Sequence, residues 1–255
     1  MVKLVCYNIE YCEGISGHWY QYLKFWKILF PPKNLDQKIV DRLKVLKPDI
    51  LALVEVDTGS FRSKKDEVRF FKKKLGLKSF VEKVKYPHNG WLKFFHWVPI
   101  LNKQANAIIS RYDITNVKYH LFHEGTKRVV IEATVHCPKK VTLLLAHLAL
   151  GGHARSEQLK ELATIVNKIK NPVILMGDFN TFGGSEEIKE LLEKTHLKDK
   201  AKLNKHSLRM TQPTWHPIRR LDYVLTSPGI KVKKYRVLNF PFSDHKPLFV
   251  EFDVK

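Results

Sequence analysis

Short apolar runs bounded by polar residues recur along this chain. The runs that predict strands are Lys3–Tyr7, Ile50–Val54, Ala107–Ile109, Ile114–Leu121, Arg128–His136, Val141–Ala146, 171–175, Leu221–Thr226, Lys231–Leu238 and Pro247–Phe252. Several are apolar at nearly every position, which is typical of strands covered on both faces. Short connections join the three runs between residues 114 and 146, which predicts an antiparallel meander.

Amphipathic stretches between these runs predict helices at residues 34–47, 64–75, 154–169 and 185–194. Asn34 and Gln37 have the spacing of a capping box, and Ser185 is expected to cap the last helix. The polar, basic stretch 196–213 predicts a loop. Because strands and helices mix without strict alternation, the pattern predicts a layered α/β fold with parallel and antiparallel strand pairs.

Polar residues stand where the apolar runs stop or begin. They are Asn8, Glu55, Asn106, His147, Asp178 with Asn180, and Asp244 with His245; Asp222 lies early in its run. Each has an ordinary structural explanation: a turn for Asn8, a solvated strand end for Glu55, a core histidine for His147, an ion pair with Arg219 or Arg220 for Asp222. Because sheet proteins place sites at strand ends, the whole set together indicates a functional site.

The stretch Met176-Gly-Asp-Phe-Asn-Thr-Phe182 connects a buried run to the helix near 185. Asp178 and Asn180 are two residues apart, so on an extended strand end their side chains would point the same way. A carboxylate that accepts a proton from water, beside an amide that donates a hydrogen bond, suits hydrolysis. The structural alternative is an Asx turn that begins the loop.

Two aromatic stretches interrupt the pattern. The first spans 17–32, where Trp19, Leu23, Trp26 and Phe30 fall on one helical face, and the second contains Trp91, Phe94, Phe95 and Trp97. His18, Lys24 and Lys27 disfavour a membrane span in the first stretch. Either a lid or interfacial helix, or an insertion packed on the core, accounts for it.

The composition indicates which kind of partner and which cellular compartment to expect. The 255 residues have a formal net charge of +20, which favours a polyanionic partner. The three cysteines, Cys6, Cys12 and Cys137, have neither disulfide nor zinc spacing. With no signal peptide in the opening residues, the cytoplasm is the expected location.

Three common chemistries lack their signatures. The chain has no HExxH zinc motif, no GxxxxGK phosphate loop and no GxSxG nucleophile elbow. Carboxylates from separate strands suit a hard cation such as Mg²⁺, with Mn²⁺ as an alternative ion. The strand-end residues therefore indicate metal-assisted phosphoester hydrolysis.

The motifs, in order, resemble the endonuclease/exonuclease/phosphatase superfamily, which has the deoxyribonuclease I-like fold. They are Tyr7-Asn8, Leu53-Val-Glu55-Val-Asp57, Asn106-Ala-Ile-Ile-Ser-Arg111, Ala146-His147-Leu148, Gly177-Asp-Phe-Asn180, Leu221-Asp222-Tyr-Val and Ser243-Asp-His245-Lys-Pro-Leu. Asp57 with Arg62-Ser63, and Arg155 with Gln158, look most like its uncharacterised metal-dependent hydrolase branch. The resemblance implies one catalytic domain over 1–255, built as a four-layer α/β sandwich of two mixed sheets with helices outside.

The resemblance also implies roles for the site residues. Glu55 would bind Mg²⁺ with Asn8 beside it and Asp244 contributing. Asp178 would orient or deprotonate water, Asn180 would steady the water and phosphate, and His245, oriented by Asp222, would stabilise phosphoryl charge. His147 would protonate the leaving oxygen or bind phosphate. Asn106 and Arg155 are the candidate substrate-binding residues, although structural support accounts equally well for Arg155.

Three functions follow as hypotheses. The first is a Mg²⁺-dependent phosphodiesterase acting on nucleic acid, because lysines supply phosphate contacts and aromatics stack on bases. The second acts on phospholipid head groups or small phosphoesters, with the aromatic stretches resting on an anionic membrane. The third is a binding protein that has lost the chemistry. No protein partner is predicted.

Overall fold

Two six-stranded sheets form the centre of the molecule. The computed structural model describes residues 1–15, 18, 20, 31–63, 65–85, 101–203 and 209–255. The first sheet has the order β11 (Ile230–Val237), β12 (Leu248–Val254), β1 (Val2–Asn8), β2 (Ile50–Asp57), β4 (Gln104–Ser110) and β3 (Ser79–Val84). The second has the order β5 (Ile114–Leu121), β6 (Val129–Val135), β7 (Val141–His147), β8 (Val173–Asp178), β10 (Asp222–Thr226) and β9 (Lys198–Asp199).

Both sheets are mixed. β1 pairs with β2 in parallel and β7 pairs with β8 in parallel, while the other described pairs are antiparallel. β5, β6 and β7 are consecutive antiparallel neighbours, so the predicted meander is confirmed. The carboxyl ends of two parallel pairs, one from each sheet, are therefore available to build a site.

Side chains that alternate between the two faces of each strand form an apolar cluster between the sheets and another beneath the helices. In β1, Leu4 and Cys6 belong to the apolar cluster between the sheets, whereas Val5 and Tyr7 belong to a cluster on the helix side. Successive side chains of a strand point to opposite faces, so a strand covered on both faces is apolar throughout. The predicted four-layer α/β sandwich is confirmed.

Helices cover the outer faces. α1 (Leu35–Leu46) and α2 (Glu67–Leu75) contribute to the cluster on the first sheet, and α3 (Gly152–Asn167) and α4 (Lys189–Lys194) to that on the second. No helix in these described ranges is long and apolar enough to cross a membrane.

Some local predictions were wrong. Asn34 adopts a left-handed backbone with φ 62° and makes no capping hydrogen bond, so the capping box does not form. Gly184, not Ser185, precedes a 3₁₀ turn at Ser185–Ile188, which leads into α4. β3 was not predicted, and the predicted loop 196–213 contains β9 and a 3₁₀ turn at Lys200–Leu203. Trp19, Leu23, Trp26 and Phe30 of the predicted aromatic helix, and the cluster Trp91–Trp97, lie outside the described residues.

Candidate active site

The two parallel strand pairs place four polar side chains together, three of them buried and the fourth, that of Glu55, half-buried. Asn8 and Glu55 come from the ends of β1 and β2, and His147 and Asp178 are the last residues of β7 and β8. Asn8 Nδ2 donates to Asp178 Oδ2 across the two sheets at 3.0 Å. His147 Nε2 lies 3.4 Å from the same oxygen, and His147 Nδ1 lies 3.8 Å from Glu55 Oε1. The strand ends thus meet as the sequence pattern indicated.

Glu55 stands on a bulge in β2. Its φ is 60°, and the pairing of β2 with β4 shifts register between Leu53 and Val56. Positive φ is uncommon outside glycine and is found where the surrounding structure holds the residue in place. Asn106 Oδ1 accepts the Glu55 N–H at 3.2 Å. The described contact of Asn106 therefore positions Glu55, and its predicted phosphate contact stays a prediction.

Asp178 and Asn180 form an Asx turn and belong to the cluster at the same time. Asp178 Oδ1 accepts the Asn180 N–H at 3.0 Å, and Asn180 Nδ2 donates to the Leu148 carbonyl at 2.8 Å. The strand ends at Asp178 and Asn180 has φ 51°, so the expectation of an extended segment with parallel side chains was wrong. Gly177 is required here because a Cβ would lie 1.8 Å from the Ala146 carbonyl oxygen.

His245 is oriented by Asp222. Their Nδ1 and Oδ2 atoms are 2.7 Å apart, and both residues are buried. The alternative pairing of Asp222 with Arg220 does not occur, because Arg220 makes two hydrogen bonds to Asp199 at 2.6 and 2.8 Å. β10 runs antiparallel to β8 with Asp222 opposite Asp178, which brings His245 Nε2 to 3.8 Å from Asp178 Oδ2.

Burial and neighbouring charges shift the pKa values of Asp178 and His245 and so set their protonation states near neutral pH. Burial raises the pKa of Asp178 from 3.8 to about 6, although the positive charge of His245 opposes the rise. Burial alone would lower the pKa of His245, but the carboxylates of Asp222, Asp244 and Asp178 raise it well above its usual value. Near neutral pH the site therefore holds a carboxylate able to accept a proton beside an imidazolium.

The pKa of His147 is shifted in the opposite direction to that of His245. Burial, followed by the charges of Lys127 and Lys85, lowers its pKa well below the usual value. Lys127 Nζ contacts His147 Nε2, so that nitrogen is the acceptor and Nδ1 carries the hydrogen. A neutral His147 can donate a hydrogen bond to an anion, and its predicted role in protonating the leaving oxygen or binding the phosphate stays a prediction.

The structure adds Glu10, Lys85 and Lys127, which sequence reasoning missed. Lys85 Nζ lies 2.8 Å from Glu55 Oε1 and Lys127 Nζ lies 3.9 Å from the same oxygen. Burial would raise the pKa of Glu55, but these two charges lower it to about 2. Glu10 lies in a turn where three consecutive residues have positive φ, Glu10, Tyr11 and Cys12.

The donor set fits a hard divalent cation. Burial, then the charges of Asp244, Glu13 and Glu55, raise the pKa of Glu10, and its buried Oε2 has no hydrogen-bond partner among the described residues. Crowded carboxylates with an unsatisfied oxygen are what a Mg²⁺ site requires. The predicted metal ligands lie near Glu10. Asn8 Oδ1 accepts the Glu10 N–H at 3.1 Å, and Glu55 and Asp244 are close enough for their charges to raise the Glu10 pKa.

A second grouping contains ligand-type atoms within 4.8 Å of one another, from Asp178, Asp222 and His245. It offers a divalent ion two carboxylates and one imidazole. His245 binds Asp222 through Nδ1 at 2.7 Å, so Nε2 is the ring nitrogen that it would present to an ion or to a phosphate.

Arg155 lies beside the site, where its described bonds are structural. It donates to the Ala149 and Leu150 carbonyls at 3.1 and 2.6 Å and to Glu187 Oε2 at 2.5 Å. These bonds tie the segment after β7 to the turn before α4. Its guanidinium therefore has a supporting role in the structure, and its predicted substrate contact has no described contact in its favour.

Replacing Arg155 by Met should lower stability without weakening substrate binding. Breaking a buried ion pair costs about 3 kcal/mol, less here because Glu187 is partly exposed, so we expect a loss of about 2 kcal/mol in urea unfolding with KM unchanged. The exposed Arg42→Met is the charge-matched control. Wild-type stability together with a raised KM would instead establish substrate contact.

Comparison with known proteins agrees with this geometry. The Endonuclease/Exonuclease/phosphatase family model matches residues 7–245, so the chain belongs to that family of phosphoester hydrolases and is classed as a hydrolytic enzyme. UPF0294 proteins of Yersinia pseudotuberculosis and Yersinia pestis are each 28% identical over 154 residues, covering 60% of this chain and 50% of theirs. The matched region thus spans about half the length of these curated relatives.

Solved structures share the fold. D. rerio TDP2 in complex with a single-strand DNA product has a TM-score of 0.71 at 15% identity, covering 99% of both chains. The human Nocturnin catalytic domain has a TM-score of 0.69 at 21% identity, covering 100% of this chain and 94% of that one. A mannosyl-6-phosphatase of Bacteroides thetaiotaomicron has a TM-score of 0.70 at 17% identity, covering 99% and 100%. At these identities the likeness establishes the fold.

Proposed function

We propose that this chain is a Mg²⁺-dependent phosphodiesterase that cleaves nucleic acid. The observation that carries the proposal is the buried Asp178 carboxylate, whose Oδ2 accepts from Asn8 and faces Nε2 of both His147 and His245. A carboxylate with a pKa of about 6, held by the Asn8 amide and the Asn180 N–H and next to a group of acidic residues, suits the activation of water for attack on a phosphate.

Each side chain has a part in that reaction. Asp178 accepts a proton from the attacking water, while the Asn8 amide and the Asn180 N–H hold its two oxygens in place. His245, fixed by Asp222, places a cation beside the phosphoryl oxygens, and charge stabilisation of this kind is the main contribution to phosphoryl transfer. Glu55, with Asn8, Asp244 and Glu10, would hold the divalent ion, which neutralises charge on the phosphate when bound.

Exposed aromatic and arginine side chains near the site favour a nucleic-acid substrate. Phe182, two residues beyond Asn180, is 42% exposed, and the guanidinium of the exposed Arg219 lies 5.6 Å from its ring. Trp215 is 52% exposed and follows Thr214, whose N–H donates to the Asp244 carbonyl at 2.9 Å. Exposed rings stack on bases and arginines contact phosphates. D. rerio TDP2, similar in fold, has been solved with single-strand DNA product.

The alternative substrate, a phospholipid head group or small phosphoester, depended on the two aromatic stretches that lie outside the described residues. It is tested as an outcome of the same experiment.

The test is cleavage of end-labelled single- and double-stranded DNA and RNA by purified protein in Mg²⁺. We expect cleavage that chelator abolishes and that Glu55→Gln reduces about 100-fold or more, because a metal ligand contributes several kcal/mol of charge stabilisation. Anionic phospholipid vesicles and 4-nitrophenyl phosphate serve as parallel substrates. Hydrolysis of these, without cleavage of any oligonucleotide, would contradict the nucleic-acid assignment.

A further inference from the structure

Two lysine ammonium groups lie next to the site, beside Glu55 and His147. Lys85 is 4% exposed; it ion-pairs with Glu55 and contacts the Tyr11 hydroxyl. Lys127, with a side chain 20% exposed, contacts His147 Nε2. Lysines are rarely buried unless a carboxylate compensates them. The two lysines therefore need either a structural or a functional account.

An ordinary ion pair explains Lys85 but not Lys127. Within 4.0 Å of Lys127 Nζ, the described part of the chain offers one carboxylate, that of Glu55 at 3.9 Å, and Lys85 already binds it at 2.8 Å. The nearer contact of Lys127 is the His147 imidazole, which carries no negative charge. The described residues thus compensate the Lys127 charge incompletely, which leaves it available to an external anion.

A fully buried glutamine holds the loop that carries Lys127. Gln158 Nε2 donates to the carbonyls of Glu124 and Lys127 at 2.8 and 2.9 Å, while its Oε1 accepts the Ala149 N–H at 2.8 Å. Gly125 allows this close approach, because a Cβ there would lie 2.7 Å from Gln158 Nε2. One side chain in α3 therefore fixes the Lys127 loop to the segment that follows His147.

We propose that Lys127, with Lys85 beside it, binds a non-bridging oxygen of the substrate phosphate, and that Gln158 is the positioning residue that holds Lys127 there. The inference rests on the proposed function, since it concerns the same site. It assigns these lysines to recognition of the phosphate charge, which is common to every phosphoester, and not to recognition of a base.

The charge balance of the cluster supports this role. Five carboxylates, of Glu10, Glu55, Asp178, Asp222 and Asp244, face three cationic side chains, of Lys85, Lys127 and His245. With a divalent ion the cluster has a net charge of about zero, whereas without the two lysines it would have about −2. A phosphate anion would meet little net charge in the first case and would be repelled in the second.

Titration calorimetry with inorganic phosphate in Mg²⁺ tests the lysine. Because a hydrogen bond to a charged group contributes about tenfold to a hundredfold in affinity, Lys127→Met should weaken phosphate binding by about that factor. Lys127→Arg should recover part of the loss. Titration of Mg²⁺ alone should show that Lys127→Met retains metal affinity, and the exposed Lys231→Met, which removes the same charge far along β11, should bind phosphate normally.

A double-mutant cycle tests the positioning role. Gln158→Glu retains the acceptor for Ala149 but loses the donor to Lys127, and should weaken phosphate binding in the wild-type background. In the Lys127→Met background, Gln158→Glu should have no further effect on phosphate affinity. If Gln158 had only a structural role, Gln158→Glu would weaken phosphate binding equally in the wild-type and Lys127→Met backgrounds. Far-UV circular dichroism and thermal melting establish that each variant is folded.

The outcomes separate this inference from the proposed function. Suppose that wild-type protein cleaves nucleic acid and binds phosphate. If Lys127→Met and Lys127→Gln then bind phosphate with the wild-type affinity, the assignment of Lys127 is wrong and the proposed phosphodiesterase function remains. If wild-type protein neither binds phosphate in Mg²⁺ nor hydrolyses any ester offered, both fall together.

Discussion

Asp178→Asn should lower turnover by about a thousandfold or more while leaving the protein folded, since positioned general-base catalysis is worth about 10²–10⁴ and Asp178 also attracts His245. The measurement is kcat/KM on the fastest-cleaved oligonucleotide at pH 8. Asp113→Asn, which changes an exposed carboxylate that pairs with Lys78, is the matched control and should be fully active. Near-normal turnover of Asp178→Asn would remove Asp178 from the mechanism.

Stability measurements show whether such a loss comes from unfolding. Because the folded-state pKa of Asp178, about 6, exceeds 3.8, folding favours the protonated carboxyl. The stability it contributes is present below pH 4 and is lost as pH rises through 6. This difference corresponds to on the order of 3 kcal/mol, against about 1 kcal/mol for the Asn8 hydrogen bond that the variant disturbs. Metal-free Asp178→Asn should therefore be at least as stable as wild type at pH 8, with no such advantage below pH 4.

Much of the fold follows from local rules that the sequence makes visible. Strands such as β1 and β8 are apolar on both faces because they lie between an inner core and a helix layer. The polar residues that end these runs had to meet, because β1 pairs in parallel with β2 and β7 with β8, and the two sheets face each other. Asn8 and Asp178, 170 positions apart, form a hydrogen bond for that reason.

The residues that sequence reasoning missed lack such a pattern. β3 is a half-exposed edge strand containing Glu82 and Lys83, so its alternation of apolar and polar residues is weak. The pattern therefore does not mark Lys85, which follows the strand, as the end of an apolar run. Lys127 belongs to a loop whose position depends on Gln158, from a helix 31 residues away. Glu10 is turned into the site by a left-handed turn of non-glycine residues, which no propensity predicts. These positions depend on tertiary contacts and not on periodicity.

Two local sequence patterns, at Asn34 and Asn180, did not predict the local structure correctly. Asn34 has a cap-forming side chain, yet its left-handed backbone removes the geometry that a capping box needs. At Asn180 the sequence suggests either an Asx turn or a catalytic arrangement, but the same N–H that closes the turn also fixes the Asp178 carboxylate. A turn and a site can therefore be one structure.

Asp222→Asn should lower kcat/KM by about 10²–10⁴-fold and displace both limbs of the pH profile towards acid. The alkaline limb reports loss of the proton from His245, whose pKa rises chiefly through Asp222 once the opposing effect of burial is overcome. Removing that charge lowers the His245 pKa, so the active imidazolium is lost at a lower pH. The acid limb reports Asp178, and Asp222 also raises the Asp178 pKa, so this limb should move in the same direction by a smaller amount.

The profile distinguishes this account from simple loss of packing. The measurement is kcat/KM from pH 5 to 10 for wild type, Asp222→Asn and His245→Gln, with Asp113→Asn as the carboxylate control. A structural defect would lower the whole curve without moving it, and His245→Gln should have no alkaline limb from this group. Partial recovery of Asp222→Asn as the pH is lowered towards the Asp178 pKa would establish that Asp222 acts through the charge of His245. An unmoved alkaline limb would assign that limb, and the phosphate-facing cation, to another residue.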